Sequence, residues 1–155
     1  MSVTERTAAE QTYRAIGRFM FEFSQLEYTV RHHLGEEIGI KEEHFPAVME
    51  SYDVGMLTTV AKEVFKRSRD GENGIQIQKL LDRFREQNDF RKRVAHGLWV
   101  PFMEGGTVHY VSRSKLTPAR FTEQARELET RADMLCQLRA DLEKAFFADI
   151  LGPLP

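Results

Sequence analysis

Apolar residues step by three and four along most of the chain, and that rhythm predicts helices. The first element runs from about Glu5 to about Leu34. Its stripe is Tyr13, Ile16, Met20 and Phe23, then Val30 and Leu34, a heptad-like pattern suited to a bundle helix. The step after Phe23 lands on Glu27, an acid where a core wants a hydrophobe. From Glu36 to Tyr52 the rhythm breaks at Gly39 and Pro46, just after Gly35, which predicts a connector with a short helical turn. Asp53 is placed to cap a second helix striped by Val54, Leu57, Ala61 and Val64. The run Asp70-Gly71-Glu72-Asn73-Gly74 reads as the turn that ends it. A third helix from near Gly74 carries Ile77, Leu81 and Phe84 on one face. The same step continues through Asn88, Arg91, Ala95 and Leu98, so the stripe turns polar at Asn88 and Arg91. Gly97 follows His96, the position where a left-handed residue commonly stops a helix.

From Leu98 to Arg113 the pattern changes to aromatic and β-branched residues. Trp99, Val100 and Phe102 precede Glu104-Gly105-Gly106-Thr107, and Val108, Tyr110 and Val111 follow, which predicts a β-hairpin. Thr117-Pro118 reads as cap and first residue of a last helix. Its stripe is Phe121, Ala125, Leu128, Ala132 and Leu135, running on through Leu142 to Ile150, with Gly152-Pro153 as its end. The expected fold is all-α: a four-helix up-down bundle in one domain, residues 1–155, with a short β-hairpin inserted between the third and fourth helices.

Composition narrows the function classes. The 155 residues are 41% hydrophobic and 30% charged, an ordinary globular balance. A net charge of −2 removes the global basic signature of a nucleic-acid coat, so any RNA contact must come from a local patch. Cys136 is the one cysteine, which excludes an internal disulfide, and no Cys/His spacing suggests a metal site. Its place beside the last stripe reads as a core thiol. The first residues carry no secretory pattern and no apolar run suits a bilayer, so a cytoplasmic protein without a membrane partner is expected.

Candidate chemistry concentrates in Asn88-Asp89-Phe90-Arg91-Lys92-Arg93-Val94-Ala95-His96-Gly97. A histidine can take the proton of a ribose 2′-hydroxyl, and an arginine fork can hold the phosphate it attacks. Five positions on a helix separate Arg91 and His96 by roughly 140°. Three routes could bring them to one phosphate: the helix loosens near Gly97, the arginine reaches round, or two copies pair across a two-fold axis. The competing structural reading is that Arg91, Lys92, Arg93 and His96 complement a helix C-terminus. Glu27 and Arg91 are both polar misfits on apolar stripes. They are expected to pair, with Glu27 orienting Arg91 and Asn88 completing the cluster, or else to form a purely structural ion pair.

The run Phe90 to Gly97 resembles the arginine, four residues, histidine signature of the HEPN superfamily (higher eukaryotes and prokaryotes nucleotide-binding domains). The segment Phe23 to Arg31 is similar to the first helix of many members, with an acid amid hydrophobes. The resemblance implies a helical bundle, a homodimer, and a metal-independent endoribonuclease without cofactor, of toxin or phage-defence type, with a cognate antitoxin as a possible partner. It implies Arg91 and His96 as the catalytic pair, Glu27 and Asn88 as support, and Lys92 and Arg93 as phosphate contacts. Lys92 stands where members often have a small amide, and no tyrosine follows the histidine. The alternative is a non-catalytic module binding RNA, a nucleotide or a protein.

Three side features complete the reading. In the hairpin, Trp99 and Phe102 are expected to pack, whereas His109 and Tyr110, near Arg113 and Lys115, are open to stacking on bases. Tyr110 is carried as a candidate substrate contact. His32-His33 reads as a solvated helix end.

Overall fold

The computed structural model describes residues 3–100, 106–111 and 118–148, and these are predominantly helical. In chain order the helices are α1 (Val3–Glu37), α2 (Phe45–Met49), α3 (Val54–Ser68), α4 (Gly71–His96) and α5 (Ala125–Phe147), with a 3-10 turn at Glu42–His44 before α2. Between α4 and α5 lie three strands, β1 (Leu98–Val100), β2 (Gly106–Val111) and β3 (Pro118–Glu123), in a sheet of order β1-β2-β3. Both pairings are antiparallel, with Leu98 opposite His109 and Val108 opposite Phe121.

The strand β3 corrects the expected start of the last helix. Pro118 opens β3, an edge strand, a position that tolerates proline. The helix instead begins at Ala125, where Glu127 reaches back to the Gln124 amide (2.9 Å), one half of a capping box. Thr117 and the expected helix end at Gly152-Pro153 lie outside the described residues.

Contacts divide the chain into two compact units, each made of two stretches. The first comprises Met1–Phe23 and Asp89–Leu135. Its buried side chains include Ala15, Phe19 and Phe23 of α1, Phe90 and Val94 of α4, and Leu128, Ala132 and Leu135 of α5. Phe90 meets Phe19 edge-on at 5.1 Å. Arg18 forks onto Glu129 (2.5 Å) and Asp133, and these bonds hold its guanidinium above its ordinary pKa.

The second unit comprises Ser24–Asn88 and Cys136–Pro155. Leu26 and Leu34 of α1, Leu57 and Phe65 of α3, Ile77, Leu81 and Phe84 of α4, and Leu142 and Phe146 of α5 are fully or almost fully buried. Asp53 caps α3 as expected, accepting from the Met56 amide at 2.8 Å. The Asp70–Gly74 turn is corrected: α4 begins at Gly71, whose φ of 68° suits glycine. Gly74 is then needed for close approach, because a Cβ there would lie 2.2 Å from the Arg69 carbonyl oxygen.

The stripe expected along α1 matches the buried face at Phe23, Val30 and Leu34 and is out of phase with it before Phe23. Tyr13 is 63% exposed, while Phe19, Leu26, Val30 and Leu34 are at 0%. The true core steps are thus Ala15, Phe19, Phe23, Leu26, Val30 and Leu34. Leu26, not Glu27, takes the core place after Phe23. The difference has a local cause: Tyr13, Ile16 and Met20 also step by three and four, one position beyond the residues that pack. The opposite offset, one position later, puts Phe65 rather than Val64 in the core of α3.

Candidate functional site

The motif helix is regular to its last residue. The Gly97 amide donates to the Arg93 carbonyl at 2.9 Å, extending the helical ladder past His96. The chain then bends at Gly97 and enters β1 at Leu98. The indole N–H of Trp99 donates to the Val94 carbonyl (2.9 Å), which ties the start of the strand to the last turn of α4. Helical geometry therefore holds between Arg91 and His96, and the roughly 140° between them stands.

The two side chains have opposite surroundings. His96 is exposed. Arg91 is half-buried, its guanidinium carbon 5.6 Å from the ring centre of Phe23. Its Nε is buried and has no hydrogen-bond partner among the described residues. A desolvated donor of this kind is costly to leave unused. The Gly97 hydrogen bond keeps the helix closed through His96, and the Arg91 side chain lies against Phe23.

The neighbouring cations are held by rings and acids. Lys92 is exposed and lies 3.5 Å from Asp89, one turn back. Arg93 is set over Phe90 at 5.5 Å, and Arg131 of α5 lies over the same ring at 3.9 Å. Phe90 itself is 2% exposed, so α4 and α5 share a buried aromatic with two guanidiniums against it. Sequence reasoning misses Arg131. Nothing local marks it, since its partner is set by which helices pack.

Glu27 has a partner on its own helix. Its carboxylate is bonded by Arg31, one turn on, and Arg31 also donates to the carbonyls of Met49 and Tyr52, the latter at 2.7 Å. Both side chains are largely buried, at 19% and 12% exposure. Glu27 is thus half of a local ion pair that anchors the connector after α2. Arg31 supplies the counter-charge one turn away, which is a sequence-visible i, i+4 spacing. Asn88 is buried at 6% exposure in the unit that also holds Glu27.

Three further expectations meet the structure here. His33 is not solvated: it is 10% exposed, with Phe146 and Phe147 at 4.5 and 5.2 Å and Glu36 at 3.2 Å. Burial lowers its pKa below the ordinary 6.5, against the opposing pull of Glu36. His32 is the exposed member, stacked on Tyr28 at 6.0 Å. Cys136 is exposed rather than a core thiol. Tyr110 and His109 fall in β2, but their side chains, and all of Phe102, lie outside the described residues.

Among the described residues no group of three or more His, Cys, Asp or Glu side chains could hold a metal ion. No helix among them is long and apolar enough to cross a membrane. Comparison with known proteins finds no family model, no curated protein and no solved structure that matches the chain.

Proposed function

We propose that the chain is a metal-independent endoribonuclease of the HEPN type, built as a four-helix up-down bundle with the strands inserted before its last long helix, and active as a homodimer in the cytoplasm. The observation that carries this reading is Arg91: a half-buried guanidinium with an unpartnered buried Nε, a little over one turn before an exposed histidine. A half-buried cation with a spare donor is suited to an anion that arrives with the substrate. The divergence of Arg91 and His96 within one chain supports the dimer, because a two-fold axis can set one copy's Arg91 against the other's His96.

In that arrangement His96 takes the proton of the ribose 2′-hydroxyl as the oxygen attacks the adjacent phosphorus. The P–O5′ bond breaks, the leaving oxygen is protonated, and the products carry a 2′,3′-cyclic phosphate and a 5′-hydroxyl. Alternatively His96 serves as the acid on that leaving oxygen. Arg91 holds the non-bridging oxygens as charge builds on them. Lys92 and Arg93 raise phosphate affinity, Asn88 fixes the motif helix from its buried face, and Tyr110 is retained as a base contact. DNA, which lacks the internal nucleophile, resists. A toxin role with a cognate antitoxin fits the same chemistry.

The test is cleavage of labelled RNA in excess EDTA by wild type, Arg91→Ala and His96→Ala. Cleavage lost in both variants, leaving cyclic-phosphate ends in the wild-type reaction, is expected. Equal background in all three would overturn the reading.

One observation favours a second reading, a non-catalytic module that binds RNA or a protein. The guanidiniums of Arg93 and Arg131 converge on Phe90, and two cations at one ring can attract a phosphate without a convergent histidine. Growth on overexpression separates the two: a nuclease slows it and His96→Ala relieves it, whereas a binding module does neither.

A further inference from the structure

A groove on the second unit uses none of the residues proposed for cleavage. It lies between the C-terminal part of α1 and the start of α2, and has a volume of about 510 Å³. Its floor and walls are apolar: Ile40, Phe45 and Pro46, with the stacked rings of Tyr28 and His32 along one side. Its rim is acidic, with Glu36, Glu42 and Glu50.

The sequence builds this groove at Gly35. A Cβ there would lie 2.8 Å from Cε2 of Phe45, so only glycine lets that ring settle onto α1. Gly39, with a φ of 68°, then turns the chain so that Ile40 and Glu42 come round to the mouth. Arg31 holds the far end of the connector through the Met49 and Tyr52 carbonyls. The groove is therefore fixed at both ends.

Its charges are unequal. Glu36 is shared by His32 (3.4 Å) and His33 (3.2 Å). Glu42 and Glu50 are exposed and form no ion pair among the described residues. Lys41 and His44 belong to the same connector but do not line the groove, and His44 lies against Glu43 at 3.5 Å. The mouth thus presents two uncompensated carboxylates beside an exposed Tyr28 ring face, 58% open. An apolar floor, an aromatic wall and a free acidic rim together complement one ligand chemistry: apolar side chains flanked by guanidinium groups.

We infer that this groove docks a short basic segment of a partner protein, with an apolar anchor over Phe45 and arginines reaching Glu42 and Glu50. A volume of about 510 Å³ suits a few side chains of a short segment rather than a whole helix. Rim carboxylates steer the basic segment in, and the aromatic wall gives its guanidinium a face to stack on.

The test uses the full chain and a fluorescein-labelled hexapeptide of four arginines and two leucines, followed by anisotropy. Two control peptides replace the arginines by glutamate or the leucines by glycine. Saturable binding is expected, weakened about tenfold or more in Glu42→Gln/Glu50→Gln and by the loss of leucine. The reversed variant Glu42→Lys/Glu50→Lys is expected to lose the basic peptide and gain the glutamate one. Both acids are exposed, so these variants should melt as wild type does. Equal affinity for the leucine-free peptide would show mere polycation attraction and overturn the groove. Unchanged binding in the Gln variant, or no saturable binding to wild type, would do the same.

Discussion

His33 shows how far one residue's surroundings can depart from its neighbour's. His32 stays in solvent while His33 is wedged against Phe146 and Phe147. Desolvation lowers the pKa of His33, and Glu36 and Glu143 oppose that shift while His32 adds to it. The unfolded chain therefore binds a proton at higher pH than the folded one. The stability held above the ordinary imidazole value of 6.5 is lost as pH falls below it. His33→Phe keeps a ring and removes the titration. Melting followed from about pH 7.5 to about pH 5 should fall less steeply for this variant than for wild type. Parallel profiles would show that His33 contributes nothing to the pH dependence. Gly74 is a steric case: Gly74→Ala forces a Cβ against the Arg69 carbonyl, and urea unfolding should report a loss of about 2–4 kcal/mol.

At the scale of elements, Arg31 fastens the connector to α1. Arg31→Ala leaves two carbonyls and the Glu27 carboxylate without their donor, at a cost of about 2–4 kcal/mol in urea unfolding. Glu27→Gln keeps an acceptor for Arg31 and should cost clearly less. A larger loss in Glu27→Gln than in Arg31→Ala would contradict this account. The elements also show what a sequence reveals in advance. The existence of the long helices is legible because their apolar steps repeat over many turns. The phase of the first half of α1 is not, because two overlapping series of hydrophobes run along it and only packing chooses Ala15 and Phe19 over Ile16 and Met20. The start of α5 is ambiguous for a related reason: Thr117-Pro118 suits the head of an edge strand as well as the head of a helix. The signal that decides lies further on, in Glu127, which caps the Gln124 amide at 2.9 Å.

At the scale of the whole molecule, the candidate site is legible only as a set of residues. The sequence marks Arg91 and His96 by type and spacing. It does not show that Arg91 rests on Phe23 while His96 faces solvent, because that depends on which side of α4 is covered. Leu26 takes the core place beside Glu27, and Glu27 pairs with Arg31 one turn on. Arg131 enters the patch only through the packing of α5 on Phe90. If that patch meets the RNA backbone, Arg131→Ala should weaken binding and make its salt dependence shallower by about one phosphate contact. An unchanged salt slope would remove Arg131 from the interface.

The proposal stands on a site completed by two copies, and mixing two dead variants tests it most directly. Arg91→Ala and His96→Ala are unfolded together, refolded as an equal mixture and assayed on RNA in EDTA, beside each variant alone. About half of the dimers then carry both variants, and each of these keeps one intact Arg91/His96 pair across the axis. The account expects activity to return to about a quarter of wild type. A mixture no more active than either variant, beside an active wild type, would contradict a site shared between copies.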